Sequence, residues 1–506
     1  MTELINLQLS KNRISSGIPT QIGNLTKLGY LHLNENDMIG TLPTELGSLT
    51  RLLTLSISFN RFTGTLPKQI GNLGNLTLFD IYENQLTGTL PSELGHFTSM
   101  DGLSMADNSI TGSIPSEIGS LSNLTSFKIS RNSMTGSLPS ELGLLTILTT
   151  LSVSFNQFNS TIPTEIGNLA HLLEIDASSN LLTGSLPSEL GRLTKLTILT
   201  TYYNQFTSTI PTELGNLAQL SEISVFANII TGLIPSELGR LTSLTSLNMG
   251  SNPFKSKIPT ELGNLEQLVT FTCVDSGLTG ALPSELGLLA KLTYLSTQHN
   301  LITGTIPTEF ANLDQLSDFD ISNNIITGPI LSELGILTRL TSLFMDDNQI
   351  NSTIPTELGN LEQLEYLSAA NNDLTGSLPP ELWLLSHLTF LAFGKNHLSS
   401  TFPTEYGKLQ QLLLFSVYGN ALTGTLPTEV GLLAILTQFD LSVNNFNGTI
   451  PSELALLSYL KYLNISVNQL TGKIPSDLGP LNILCKYLNG CCYSDLLPGV
   501  SLLCCG

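Results

Sequence analysis

In a chain of 506 residues, the side chains best suited to chemistry gather in three places. Five aspartates, Asp275, Asp318, Asp320, Asp346 and Asp347, recur with His299, Phe344 and Tyr366 close by. Set on neighbouring strands about 4.8 Å apart, such carboxylates should raise one another's pKa or recruit a cation. A basic peptide or Ca²⁺ would fit, and a solvated acidic face with no dedicated ligand accounts for them equally well. Tyr202, Tyr203 and Phe226 form an aromatic group, and exposed aromatics give contact area at small entropic cost. The third place is the C-terminus, where Cys485, Cys491, Cys492, Cys504 and Cys505 fall within 21 residues.

The clustered cysteines admit three chemistries. A disulfide-stapled cap fits best and would require an oxidising compartment, with one cysteine left over. Zinc is weaker, because no C-x-x-C spacing occurs and the tail has no His. Acylation of the terminal pair is open, although no C-a-a-X box is present. The sixth, Cys273, stands in a core leucine position and reads as a small buried hydrophobe.

Catalytic constellations are missing from the sequence. It holds no G-x-S-x-G, P-loop, H-E-x-x-H or kinase signature. Its six histidines occupy several unrelated positions, and only His32 and His299 fall on an expected strand face. The chain is therefore read as non-enzymatic, with no catalytic residue, no metal site and no cofactor.

The elements that position these groups follow from one repeat. Asn recurs every 24 residues from Asn12 to Asn468 without insertion or deletion, giving 20 units, and only Ser276 breaks the column. A fixed period of this size marks a solenoid whose stacked units share one core, which overrides the length-based expectation of about three or four domains. The unit reads L-x-x-L-x-L-x-x-N-x-L-x-G-x-I/L-P-x-E-L-G-x-L-x-x. Its first part alternates as a short strand with one buried face. The Asn should turn inward and satisfy neighbouring backbone, and Ser276 should leave a local defect. The Pro, absent only at Leu331, closes a second extended piece and opens a helical turn.

The net charge is −20, yet the position nine residues after the Asn supplies 18 of the 40 acids. That position is the first turn of the helical segment, where exposed N–H groups favour a carboxylate. The acidity thus belongs to the scaffold, and nucleic acid, which needs a basic stripe, is excluded as a partner. No apolar run approaches the roughly 18 residues of a membrane helix.

The segment Leu86-Thr87-Gly88-Thr89-Leu90-Pro91, and likewise Ile302-Thr303-Gly304-Thr305-Ile306-Pro307, resembles the plant-type leucine-rich repeat, over residues 4 to about 484. The wording is most similar to long algal leucine-rich repeat proteins. The resemblance implies an α/β leucine-rich repeat solenoid: a right-handed superhelix with a parallel sheet on its concave side and short 3-10 or helical turns on its convex side. Residues 1–484 would form the solenoid and 485–506 a Cys-rich cap or tail. The family's N-terminal capping segment with paired cysteines is absent, which points to a truncated start.

Function is then expected on surfaces. Residues six, four, two and one before each Asn should face outward on the sheet. The favoured reading is recognition of a peptide, protein or glycan at or outside the cell surface, with a co-receptor or signalling partner supplied separately. A second is a structural, adhesive or ice-binding wall protein that uses a ladder of threonines three and five residues after the Asn. A third, inhibition of a wall-degrading glycosidase, rests on the family resemblance alone. Sequons at Asn24, Asn75, Asn123, Asn159, Asn351, Asn447 and Asn464 hint at secretion, although the repeat's own wording produces Asn-Leu-Thr. From Asn156 to Asn372 the units also alternate in type, with Ser160, Gly184, Ser208, Gly232, Ser256 and Gly280 at one position, as duplication of a 48-residue pair would give.

Overall fold

A computed structural model describes residues 3–478, so the five tail cysteines lie outside the described residues. The chain forms two compact units, Met1–Thr327 and Gly328–Gly506. In the first unit, 14 three-residue strands run from Asn6–Gln8 to Asp318–Asp320. They pair in parallel at a constant offset, as in Asn6↔Tyr30 and Tyr30↔Thr54. In the second unit, six such strands run from Ser342–Phe344 to Tyr462–Asn464 with the same offset. The middle residue of each strand is apolar and points into the core; Leu31, Leu55, Phe271 and Leu367 are fully buried.

What joins one repeat to the next is the asparagine. Asn60 Nδ2 donates to Ile57 O and Ser58 O in its own unit, both at 3.1 Å, and to Leu33 O of the preceding unit at 3.0 Å. Its Oδ1 accepts the Met38 N–H at 3.0 Å. The same set recurs at Asn156, Asn180, Asn204 and Asn228. One buried side chain thus bonds four backbone groups across two units, and it is the Met38 N–H that depends on it alone.

Ser276 does not leave the expected defect. Its N–H donates to Asn300 Oδ1 at 3.0 Å and its hydroxyl to Val274 O at 2.9 Å. The Phe254 N–H, which an Asn at 276 would have accepted, reaches Asn252 O at 2.9 Å and Ser276 O at 3.1 Å instead. Backbone carbonyls and the next asparagine close the gap.

Every helical segment among the described residues is a 3-10 turn of three to five residues; none is an α-helix. The segment starts on the Pro as N-cap, as at Pro139 with φ −71° and ψ 141°. Leu331 adopts the same conformation at φ −72° and ψ 132°, so the missing Pro changes little there. The glycine after the turn's buried apolar residue sets how closely the next unit packs. A Cβ on Gly119 would sit 2.7 Å from the Glu141 carbonyl oxygen and Cβ of the following unit. The glutamate column therefore packs its backbone onto the preceding glycine, beyond the charge preference expected for a helix start. Its carboxylate takes a hydroxyl hydrogen bond from the residue before it, as Glu141 does from Ser140 at 3.2 Å.

The flank after the asparagine bears on both the threonine ladder and the alternation. In the first unit a six-stranded lateral sheet runs from Ile39–Thr41 to Gln157–Phe158. Gly88 has φ +75°, and a Cβ there would lie 2.5 Å from Thr65 Cγ2, so the threonine methyl seats against the next glycine. Threonines two residues earlier turn their hydroxyls back to the preceding unit, as Thr207 does to Gly184 O at 3.3 Å. At Ser256 the geometry changes. Ser256 Oγ accepts the Ile234 N–H at 3.1 Å and donates to Lys257 O at 2.8 Å. The long lateral sheet ends in the unit of Ser160, and shorter pairs take over beyond it. Ser160 and Ser256 leave the left-handed conformation that Gly184 and Gly232 adopt, whereas Ser208 keeps it at φ 69°, so the Gly/Ser alternation is not a uniform switch of backbone.

Replacing Asn180 with Ala should orphan the buried Phe158 N–H, at about 1–3 kcal/mol, and remove three donated hydrogen bonds, although Val153 O, Ala177 O and Ser178 O keep Asn156, Asn204 and the Phe155 N–H as donors. An overall loss of about 3 kcal/mol and earlier hydrogen exchange of the Phe158 amide are expected, while Ser276→Ala should change stability by less than about 1 kcal/mol. Native-state hydrogen exchange distinguishes the two.

Candidate ligand-binding surface

The inner strands present their outward residues on a backbone that hardly varies. The residue just before each Asn is left-handed throughout: φ is 52° at Phe59, 51° at Phe155, 50° at Tyr203, 49° at Asp275 and 51° at Asp347. Asn, Asp and Gly tolerate this conformation, and bulky side chains do so at an energetic penalty. Asp107, Asn323, Asn371 and Gly419 meet the preference. Phe59, Phe155 and Tyr203 do not, and they are 44%, 40% and 57% exposed. Burial does not compensate these aromatics for the strain, and their contacts are with other surface side chains.

In the first unit the expected aromatic group is assembled. Tyr202 and Tyr203 meet edge to face at 5.8 Å, and Tyr203 meets Phe226 in the same way at 5.4 Å. A second group on the same columns was not anticipated. Phe59 packs its edge on Tyr82 at 5.1 Å. The Tyr82 hydroxyl is pushed above its usual pKa by lost solvation, then by the charges of Asp107 and Glu83. Arg131 sits 3.8 Å from Asp107 and places its guanidinium 4.6 Å above the Phe155 ring. Five successive repeats thus carry a connected ridge of aromatic and charged side chains. Scanning the two residues before each Asn as columns would have found it.

The acidic residues divide between the units. In the first, Asp318 pairs across from Tyr294, and Asp320 from Ser296. Asp320 is mostly buried, and that burial pushes its carboxyl pKa up; the Ser322 N–H, donating at 3.0 Å, and the charge of His299 pull it down. Mutual repulsion among carboxylates, the expected cause, is not what raises it. Asp318 accepts the Ser317 hydroxyl. Asp275 and His299 stand in the left-handed column before Ser276 and Asn300. In the second unit, Asp346 accepts the Ser368 hydroxyl and the Ala370 N–H, and Asp347 accepts the Asn371 carboxamide. Phe344 and Tyr366 lie 6.2 Å apart, and Phe390 extends the row 6.5 Å beyond Tyr366.

Among the described residues no three or more His, Cys, Asp or Glu are grouped so that they could hold a metal ion. Aspartates four before the Asn are largely self-tied. Asp176 and Asp440 each accept the N–H and hydroxyl of the serine two residues on, at 3.2 and 2.6 Å and at 3.0 and 2.6 Å. Asp440 also takes Tyr462 OH at 3.3 Å, and nearby Lys395 reaches over the Tyr418 ring at 6.0 Å. This second-unit group was also missed by reading clusters of like charge. Cys273 is fully buried and its thiol is pushed up to about 12 by burial, as a structural cysteine should be.

Comparison with known proteins agrees with this architecture. The family profile described as "Leucine-rich repeat region" matches residues 4–138, and "Leucine Rich Repeat" matches 148–169, 243–265, 291–313, 339–361, 363–385 and 459–481. No curated protein matches the chain. Among solved structures it is similar to the plant peptide hormone receptor RGFR1 in complex with RGF2, at 32% identity over 95% of this chain and 81% of that one, with a TM-score of 0.88. It is also similar to PEPR1 with AtPEP1, at 30% identity over 94% and 70%, TM-score 0.85. A third is the Arabidopsis receptor kinase HAESA in complex with the peptide hormone IDA and the co-receptor SERK1, at 29% identity over 94% and 88%, TM-score 0.69. No helix among the described residues is long and apolar enough to cross a membrane.

The raised pKa of Asp320 has a signed consequence. The folded state holds that proton more tightly than the unfolded chain does. Its burial therefore destabilises the fold increasingly as pH rises from the ordinary value of 3.8 through the folded pKa, and by a constant amount above it. Asp320→Asn, which keeps an acceptor for the Ser322 N–H, should raise the thermal midpoint at pH 7 and leave it nearly unchanged below pH 3.8, as melting curves across that range would show.

Proposed function

Since the chain belongs to the leucine-rich repeat family, we propose that it is a non-enzymatic recognition protein that binds a peptide or protein through the outward residues of its inner strands, at or outside the cell surface. The observation that carries this reading is the strained, exposed aromatics at Phe59, Phe155 and Tyr203. Backbone preference works against them, so contact with a partner is the reason they are retained. The similar receptor ectodomains that hold peptide hormones support the ligand class, and the HAESA complex supports a separate co-receptor.

The threonine flank has a different occupation. Its methyls seat against glycines and part of its hydroxyls bond the preceding unit, which accounts for the ladder through stacking alone. The adhesive, ice-binding and inhibitor readings have no comparable observation.

The left-handed column permits a clean test. Phe59→Asn, Phe155→Asn and Tyr203→Asn remove the aromatic contact while installing a residue that favours the conformation. The combined variant should fold at least as stably as the parent. Incubated with a fractionated extracellular peptide pool, it should retain its bound peptides at least tenfold less well, since exposed aromatic anchors each contribute about 2 kcal/mol at interfaces. Equal recovery of the same peptides by parent and variant would remove the ridge from the binding account.

A further inference from the structure

Seven sequons are spelled out by the chain, and the structure separates them into two kinds. At Asn75 and Asn123 the carboxamide donates to a carbonyl of the preceding unit, Thr50 O and Thr98 O, both at 2.9 Å. The third residue is engaged too: Thr77 Oγ1 donates to Leu53 O at 2.9 Å, and Thr125 Oγ1 to Asp101. The middle residues, Leu76 and Leu124, are fully buried. Asn464 is tied to Asp440, Tyr462 and Ser466. These tripeptides are parts of the stack. Asn24 is exposed, but its sequon runs into the C-cap Leu25, whose N–H bonds Ile22 O.

Asn159, Asn351 and Asn447 differ in their hydrogen bonding and in the residues that follow them. Each is exposed and its carboxamide makes no hydrogen bond among the described residues. Each stands three residues after the repeat asparagine, at Asn156, Asn348 and Asn444, where most units have threonine. The middle residues are Ser160, Ser352 and Gly448, none of them in the core. The third residues, Thr161, Thr353 and Thr449, turn their methyls towards Gly184, Gly376 and Gly472 of the next unit and carry exposed side chains. The backbone is anchored, as by the Asn159 N–H to Gly136 O and the Asn351 N–H to Gly328 O, both at 3.0 Å. An acceptor amide is thus held out to solvent on a fixed frame.

We propose that Asn159, Asn351 and Asn447 are N-glycan acceptor sites, and that the segment following the repeat asparagine is the glycan-bearing flank of the repeat. A membrane transferase would supply the donor, an oligosaccharide linked to a lipid diphosphate. The carboxamide Nδ2 forms a bond to the anomeric carbon, the bond from that carbon to the diphosphate oxygen breaks, the diphosphate leaves with the electron pair, and Nδ2 gives up one proton. A bulky, solubilising group there keeps partners off the flank and leaves the inner-strand face as the open one. The proposal rests on the extracellular reading for its setting, and its geometry is independent of that reading.

The test uses the full chain, once from its source cells and once secreted from a eukaryotic host behind an added signal. Enzymatic deglycosylation in heavy-oxygen water marks each occupied Asn, and peptide mapping reads the sites. In the secreted form, high occupancy at Asn159, Asn351 and Asn447, with little at Asn75, Asn123 and Asn464, is expected. The combined variant Asn159→Gln, Asn351→Gln and Asn447→Gln should lose three glycans by intact mass without a change in melting temperature. A folded, secreted chain bare at these three and occupied at Asn75 and Asn123 would overturn the proposal. If the secreted form shows the expected pattern and the source form is wholly unmodified, the extracellular reading fails and the site assignment stands.

Discussion

One side chain holds the fold to its period. The repeat asparagine reaches both its own turn and the one before it, through three donated hydrogen bonds and one accepted. Among the described residues the Met38 N–H has no other acceptor, and Ile57 O and Leu33 O are reached otherwise only by the neighbouring asparagines, so the residue between strand and flank must carry both a donor and an acceptor on a short stem. Glutamine would be too long and aspartate would bring a charge without donors. The left-handed residue ahead of the asparagine is the geometric counterpart, because it turns the chain sharply enough to aim the carboxamide inward. Strand length, register and the faces available for recognition follow from that turn.

Packing adds a second constraint on the other side of each repeat. The glycine after the 3-10 leucine lets the next unit's backbone come within van der Waals contact. Ala311 and Ala455 relax that rule by one methyl, and in the second unit one residue breaks it outright. Trp383 occupies the glycine column, is 1% exposed, and packs against Tyr406 at 6.4 Å. Phe402 lies 4.8 Å from Tyr406 and stacks on Phe415 at 5.6 Å. The large rings stand in for the close backbone approach, and the indole N–H is left buried without a partner, which is a local penalty.

The fold was legible in the sequence because every unit assigns the same task to the same column. Leucine, asparagine, proline and glycine could each be read from spacing alone. Two features were not. Ser276 was expected to weaken its turn, yet backbone carbonyls and Asn300 repair it, a rearrangement no side-chain pattern encodes. The serine alternation read as a trace of duplication, while Ser256 and Ser352 hydroxyls in fact take the N–H groups of Ile234 and Ile330. For the site, Tyr202, Tyr203 and Phe226 were visible as neighbouring aromatics. Phe59, Tyr82, Arg131 and Phe155 were not, because they are far apart in sequence and become continuous only through the 24-residue offset. Asp320 was noticed for its charge, and its environment is set by burial instead.

The uniform joint also bears on how such a chain can change length. A repeat whose asparagine meets the same carbonyls and the same N–H above and below can be excised or copied in frame, and its neighbours close on one another with their bonds intact. Most of the chain is therefore divisible without harm to folding, and recombination between similar units can shuffle outward residues as loose cards. One joint resists this. Trp383 packs against Tyr406 in the following unit. That pair of repeats must be inherited as a block, a fixed landmark in a chain otherwise free to grow and shrink.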